Sequence, residues 1–178
     1  INPNDHVNRG QSTNDVYPSA GKLAMIRLMA PLFDELEALI STLGAKADEF
    51  ARVYKMGRTQ LQDAVPMTLG NLKPLRRDLR RLQDAEAALH TLNLGGSAIG
   101  SGINVSYHYQ VHVIPKLETV TGLELFQAVD LFDATQNLDV FTTLSGALKT
   151  LAVNLSKMSN DLRLLSSGPR SGLSEINL

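Results

Sequence analysis

Five polar residues stand together near the start of the chain: Gln11, Ser12, Thr13, Asn14 and Asp15. Side-chain oxygens of Ser, Thr, Asn and Asp accept from the free backbone N–H groups of a first helical turn, so the stretch suits a helix N-terminus. The same two hydroxyls and carboxamide, placed where backbone donors and the helix dipole also point, suit the binding of a carboxylate. A second polar cluster reads Gly57-Arg58-Thr59-Gln60-Leu61-Gln62-Asp63. Neither cluster holds a catalytic triad, a metal-ligand set or two carboxylates at glycosidase spacing. Both hold mainly donors, and donors without a strong base suit carboxylate binding and the stabilisation of charge that develops on it.

Composition narrows the classes. A chain of 178 residues is long enough for one domain with a real core, and 43% hydrophobic against 20% charged excludes disorder. The net charge of −1 gives no whole-chain case for nucleic acid or an anionic membrane. Cysteine is absent, which removes disulfides, thiolate metal sites and a cysteine nucleophile. Of the histidines His6, His90, His108 and His112, only the last two have the spacing of a helical ligand pair, and no nearby carboxylate completes a site. They read as surface residues, and neither a metal nor a cofactor is expected. No apolar run approaches the ~20 residues needed to span a bilayer, and no signal peptide opens the chain, so the expected location is the cytoplasm. The chain opens on Ile1 and closes on Leu178 without winding down, as an excised piece of a larger protein would.

The positioning elements read as helices. From about Tyr17, apolar residues fall at Ile26, Met29, Phe33, Leu36, Ile40, Leu43, Ala47 and Phe50, a seam in steps of three and four. Pro18 suits a first turn, and Pro31 is expected to kink one continuous helix. Periodicity is lost between Tyr54 and Pro66, a polar loop in which Asp63 is a candidate N-cap. A second long helix then carries Leu72, Leu75, Leu79, Leu82, Leu89 and Leu92 on one side and Lys73, Arg76, Arg77, Arg80 and Arg81 on the other. Interspersed Asp78, Asp84 and Glu86, and the lack of nearby aromatic residues to stack on bases, make that basic side a solvated or ion-paired face rather than a nucleic-acid surface. Residues 94–104 place four glycines in eleven positions, a packed connection with positive-φ turns and no P-loop lysine. A shorter helix over residues 111–120 ends at Gly122. The third long helix, residues 133–166, carries Phe141, Leu144, Leu148, Leu151, Leu155, Met158, Leu162 and Leu165 over ~50 Å.

The expected architecture is therefore an all-α bundle without strands: three long, roughly antiparallel helices and a shorter one, forming a single domain over residues 1–178. Such seams call for further helices from other chains. With ~45 Å of helix between the two polar clusters, one site using both would need two subunits.

Residues Pro3-Asn4-Asp5-His6-Val7-Asn8, Gln11 to Asp15, and Gly57 to Ala64 resemble the first two signature regions of the aspartase/fumarase superfamily. Residues 93–104 resemble its glycine-rich connection, and residues 159–170 the approach to its third signature. Within the superfamily the likeness is to the ammonia-lyase branch, because Gln60 stands where fumarases carry His, and Gln cannot titrate. The resemblance implies the central domain of a homotetramer with sites shared between subunits. It implies anti elimination of ammonia from L-aspartate to fumarate through an aci-carboxylate. Ser12 and Thr13 would bind the β-carboxylate, Asn14 and Gln60 the amino group, and Thr59 the α-carboxylate. The family's base is a serine on a flexible loop expected beyond Leu178, and an upstream Thr-containing segment would precede Ile1, so the 178 residues alone are expected to be inactive. Asn71-Leu72 also departs from the family's usual Gln-Glu. The competing readings are a fumarase-type hydratase and a non-catalytic helical assembly module in which Ser12, Thr13 and Asn14 only cap.

Overall fold

The computed structural model describes residues 1–71 and 75–177. Leu72 and Lys73, expected on the second helix, lie outside the described residues, as does Leu178. Most of the chain is helical: α1 (Thr13–Glu49), α2 (Arg76–Ala87), α3 (Tyr107–Thr121), α4 (Leu131–Gln136) and α5 (Asp139–Leu165). Two compact units divide it, Ile1–Pro31 with Gln83–Ser145 and Leu32–Leu82 with Gly146–Leu178.

The expected seams are the buried faces. Along α1, Ile26, Met29, Leu36 and Ala47 are buried and Phe33, Ile40 and Leu43 half-buried, as is Phe50 just past its end. Along α5, Leu144 and Leu151 are buried and the other expected seam positions half-buried. Several boundaries differ from the sequence reading. Helix α1 begins at Thr13, so Pro18 lies inside it beyond the first turn, and the helix continues through Pro31. Two helices are long, with 37 and 27 residues, whereas α2 has only 12 and passes into a single 3-10 turn, Ala88–His90. Leu75 sits at φ +79°, a conformation that no α-helix includes, and this forces α2 to start at Arg76. The last long helix starts at Asp139 because Asn137 breaks the run. Asn137 has an extended backbone and closes α4, its N–H donating to the Asp133 carbonyl at 3.0 Å. Helix α3 starts at Tyr107, capped by Ser106, and ends as expected at Gly122, whose φ of +71° closes the last turn.

A further correction concerns strands. The segment expected to be a polar loop is an antiparallel hairpin of β1 (Tyr54–Thr59) and β2 (Gln62–Thr68), and Asp63 lies in β2 rather than capping a helix. A short parallel bridge joins β3 (Thr91–Leu92) to β4 (Phe126–Gln127).

In the first unit, Leu92, Leu94, Ile114 and Leu125 form a core against which Leu23, Val113, Leu117 and Leu123 pack. The second buries Leu36, Ala47, Leu69, Leu75, Leu82, Ala147 and Leu151. Its basic helix face is solvated, with Arg76, Arg77 and Arg80 exposed. Arg81 pairs with the buried Asp78, whose two oxygens also each accept from Asn154 at 2.9 Å. Removing Asp78 would strip three polar contacts from one buried position.

Each nitrogen of the His90 ring meets an acceptor: Nδ1 faces the Glu124 carbonyl and Nε2 lies 3.2 Å from the Glu86 carboxylate. Only an imidazolium can donate to both. Burial lowers its pKa, but the Glu124 carbonyl and the Glu86 carboxylate outweigh that, and the value is raised. A raised folded pKa gives stability that is complete below the unfolded value of about 6.5 and is lost as pH rises through the folded one. His90→Ala is thus expected to lower the melting temperature more at pH 6 than at pH 8.5. Equal losses at both would show that the charge is not used.

Candidate active site

Ser12 is half-buried and caps α1. Its Oγ accepts from the Asn14 N–H at 3.2 Å and its carbonyl from Val16 at 3.0 Å. The hydroxyl hydrogen is not consumed by that role, so the same group can cap and still donate. Thr13, the first residue of α1, is exposed. Asn14 is exposed too, with Nδ2 donating to the Ala98 carbonyl at 2.7 Å, which leaves its Oδ1 to accept from an ammonium group.

Behind these donors lies the glycine-rich segment. Its positive-φ positions, Gly95, Ser97, Gly100, Gly102 and Asn104, are the turns expected for residues 94–104. Two buried residues, unassigned from sequence, connect it to α1. Asp15 accepts from the backbone of Ser12, Gly95 and Ser97. Asn93 donates to the Asn14 carbonyl at 3.0 Å and to Thr135 Oγ1 at 3.1 Å. The available signal was an acidic residue in a first turn and an Asn two residues before the first glycine, but both have partners far along the chain.

Thr59 and Gln60 belong to the second unit, at the tip of the hairpin. Thr59 pairs with Gln62, and Gln60 and Leu61 form the two-residue turn with φ of +51° and +64°. Both positive values match the turn whose twist suits a hairpin. Thr59 and Gln60 are exposed. The strands close tightly below them: a Cβ on Gly57 would meet the Val65 carbonyl at 2.9 Å, beside a bulge at Arg58. The structure therefore groups Ser12, Thr13 and Asn14 together, and Thr59 with Gln60, in separate units.

The hairpin is held by charge. Arg58 Nη1 donates to Glu175 at 2.8 Å, its Nε lies 3.1 Å from Asp63, and Lys55 Nζ lies 3.3 Å from the other Glu175 oxygen. Gln60 lines a cleft of about 410 Å³ with Lys55, Arg58, Met67, Lys157 and Asp161. Burial raises the Glu175 pKa, but hydrogen bonds from Arg58 and Lys55 outweigh it and hold the carboxyl below its ordinary value. A depressed folded pKa gives stability that is present above the unfolded value of about 4.3 and is lost as pH falls through the folded one. Glu175→Gln is accordingly expected to destabilise the protein at pH 7, with the gap to the unaltered protein narrowing as pH falls below about 4.3 in thermal melts. A gap that persists at acid pH would rule out the ion pairs as its source.

Among the described residues no three of His, Asp and Glu gather to hold a metal ion. His108 and His112 are exposed and stack on each other with centroids 4.2 Å apart. No described helix is long and apolar enough to cross a membrane.

The chain is similar to known proteins in both sequence and fold. The aspartate ammonia-lyase of Helicobacter pylori is 52% identical over 181 residues, covering 99% of this chain and 39% of its own length. A fumarate lyase/delta crystallin of Brucella melitensis, solved with cobalt bound, superposes with a TM-score of 0.90 at 49% identity over 98% of this chain and 39% of that one. The class II fumarase of Schistosoma mansoni gives 0.92 at 35% identity, covering 98% and 41%. The chain thus spans about two fifths of the length of the relatives it matches. The family described as Lyase matches residues 1–178 in full, and the chain belongs to that lyase family.

Proposed function

We propose that the full-length protein is an ammonia-lyase that converts L-aspartate to fumarate. The observation that carries this reading is the pair of uncharged polar groups, Ser12-Thr13-Asn14 and Thr59-Gln60, in which Gln60 holds the exposed hairpin tip and offers an amide where a base would titrate. The name of the Helicobacter pylori relative supports it. In the reaction a base takes the Cβ proton, and the freed electron pair moves onto the β-carboxylate to form the aci-carboxylate. That pair then returns to form the double bond as the Cα–N bond breaks and its electrons leave with ammonia. Ser12 and Thr13 stabilise the charge on the β-carboxylate, Asn14 and Gln60 hold the amino group, and Thr59 holds the α-carboxylate. The resemblance to the aspartase/fumarase superfamily assigns the base to a serine outside these residues, and the two nearby aspartates are already engaged, Asp15 by backbone N–H groups and Asp63 by Arg58.

The reading includes a homotetramer acting in the cytoplasm, in which the Ser12 cluster of one copy meets the hairpin tip of another. It also includes inactivity of the 178 residues alone. Fumarate formation by the full-length protein from aspartate, with none from malate, is the expected result. Turnover of malate instead would favour the hydratase reading, which the fold likeness to the Schistosoma mansoni fumarase keeps in view. Fumarate formation by the isolated 178-residue chain would overturn the assignment of the base.

A further inference from the structure

We propose that Asp15 is a positioning residue, a buried carboxylate that sets Ser12, Thr13 and Asn14 against the glycine-rich segment; the role rests on the ammonia-lyase reading above. Asp15 is 0% exposed. Its Oδ1 accepts from the Ser12 N–H at 2.8 Å, and its Oδ2 from Gly95 at 3.1 Å and Ser97 at 3.0 Å. One side chain thereby joins the residue that caps α1 to a turn 80 residues later. The attachment continues on either side of it, through Asn93 to the Asn14 carbonyl and from the Asn14 amide to Ala98. Backbone and side chain of the donor stretch are thus held at several points against residues 93–98.

The chemistry needs such an attachment. Donors aimed at developing charge accelerate a reaction only when they are in place beforehand, since reorientation during the reaction would cancel the gain. A carboxylate fits the position because all three of its partners are N–H groups, and an ionised carboxylate presents acceptors only. An Asn there would turn an NH₂ toward either Ser12 or the Gly95 and Ser97 pair, donor against donor.

The test is Asp15→Asn and Asp15→Ala in the full-length protein. Kinetics are normalised to sites counted calorimetrically with succinate, so that unfolded molecules do not enter the rate. Asp15→Asn is expected to lower kcat about 100-fold per site with KM within about threefold, and Asp15→Ala to lower it further. Amide exchange at Ser12, Gly95 and Ser97 should accelerate in both. A structural role alone would lower the melting temperature and leave kcat per site unchanged. A kcat within about twofold of the unaltered enzyme overturns the positioning role. An unaltered enzyme without turnover of aspartate overturns instead the reading beneath it. Should neither variant fold, succinate added to the unaltered protein decides. Exchange at Gly95 and Ser97 slowed about tenfold supports the coupling, and unchanged exchange overturns it.

Discussion

Thr13→Val in the full-length protein is expected to lower kcat for L-aspartate by about 100- to 1000-fold, equivalent to about 2.7–4 kcal/mol of transition-state stabilisation, while leaving the melting temperature unchanged. Valine keeps the shape of threonine and removes only the hydroxyl. Thr13 is exposed and is not the cap, so the helix loses nothing that holds it. The neighbouring position separates the two roles further. Ser12 caps α1 through its Oγ, and Ser12→Ala is expected to lose both activity and about 0.5–2 kcal/mol of stability. Glycine is tolerated at an N-cap at a cost of only a few tenths of a kcal/mol, so Ser12→Gly should keep most of the stability and none of the donated hydrogen bond. If capping were the whole role of this stretch, Ser12→Gly would be active and Thr13→Val indistinguishable from the unaltered enzyme. Steady-state kinetics with aspartate beside thermal melts of the three variants decide the matter.

How far these features could be read from the sequence depends on the range of the interaction. The α1 and α5 seams were legible because burial repeats at the helical period, and every position named along them is buried or half-buried. The hairpin was not. Two-residue hairpin turns usually announce themselves as Asn-Gly or Asp-Gly, whereas here Gln60 and Leu61 occupy the positive-φ positions. Pro66 also argues against a strand, although in a two-stranded sheet it sits opposite Met56 where an edge tolerates it. The α2 boundary failed for a similar reason, since leucine spacing carries no warning of the positive φ at Leu75. Ser12, Thr13, Asn14, Thr59 and Gln60 are proposed from residue type and family likeness. Asp15 and Asn93 were missed because their partners lie about 80 residues away, beyond any local pattern.

The second large effect is expected at Gly100, and it tests whether the glycine-rich segment is as fixed as the site requires. Gly100 has φ of +96°, and a Cβ there would lie 2.5 Å from the carbonyl carbon and oxygen of Leu131 and from the Phe132 Cα. These are backbone atoms of the first turn of α4, so no side chain can rotate away to make room. Strain at the positive φ and displacement of that turn each cost on the order of 1–3 kcal/mol, and Gly100→Ala should lose about 3–5 kcal/mol in all. That is a large share of the roughly 5–15 kcal/mol that holds a domain folded. Gly146 supplies the contrast, since it lies within α5 and an added Cβ meets nothing within 4 Å. Gly146→Ala should therefore gain about 0.5–1 kcal/mol by removing backbone freedom from the unfolded chain. Urea midpoints measured on the full-length protein should move in opposite directions for the two substitutions. Amide exchange over residues 95–102 should accelerate only in Gly100→Ala. Two shifts of the same sign and size would mean that the segment yields to a methyl group, and a segment that yields cannot hold Ser12, Thr13 and Asn14 in register for catalysis.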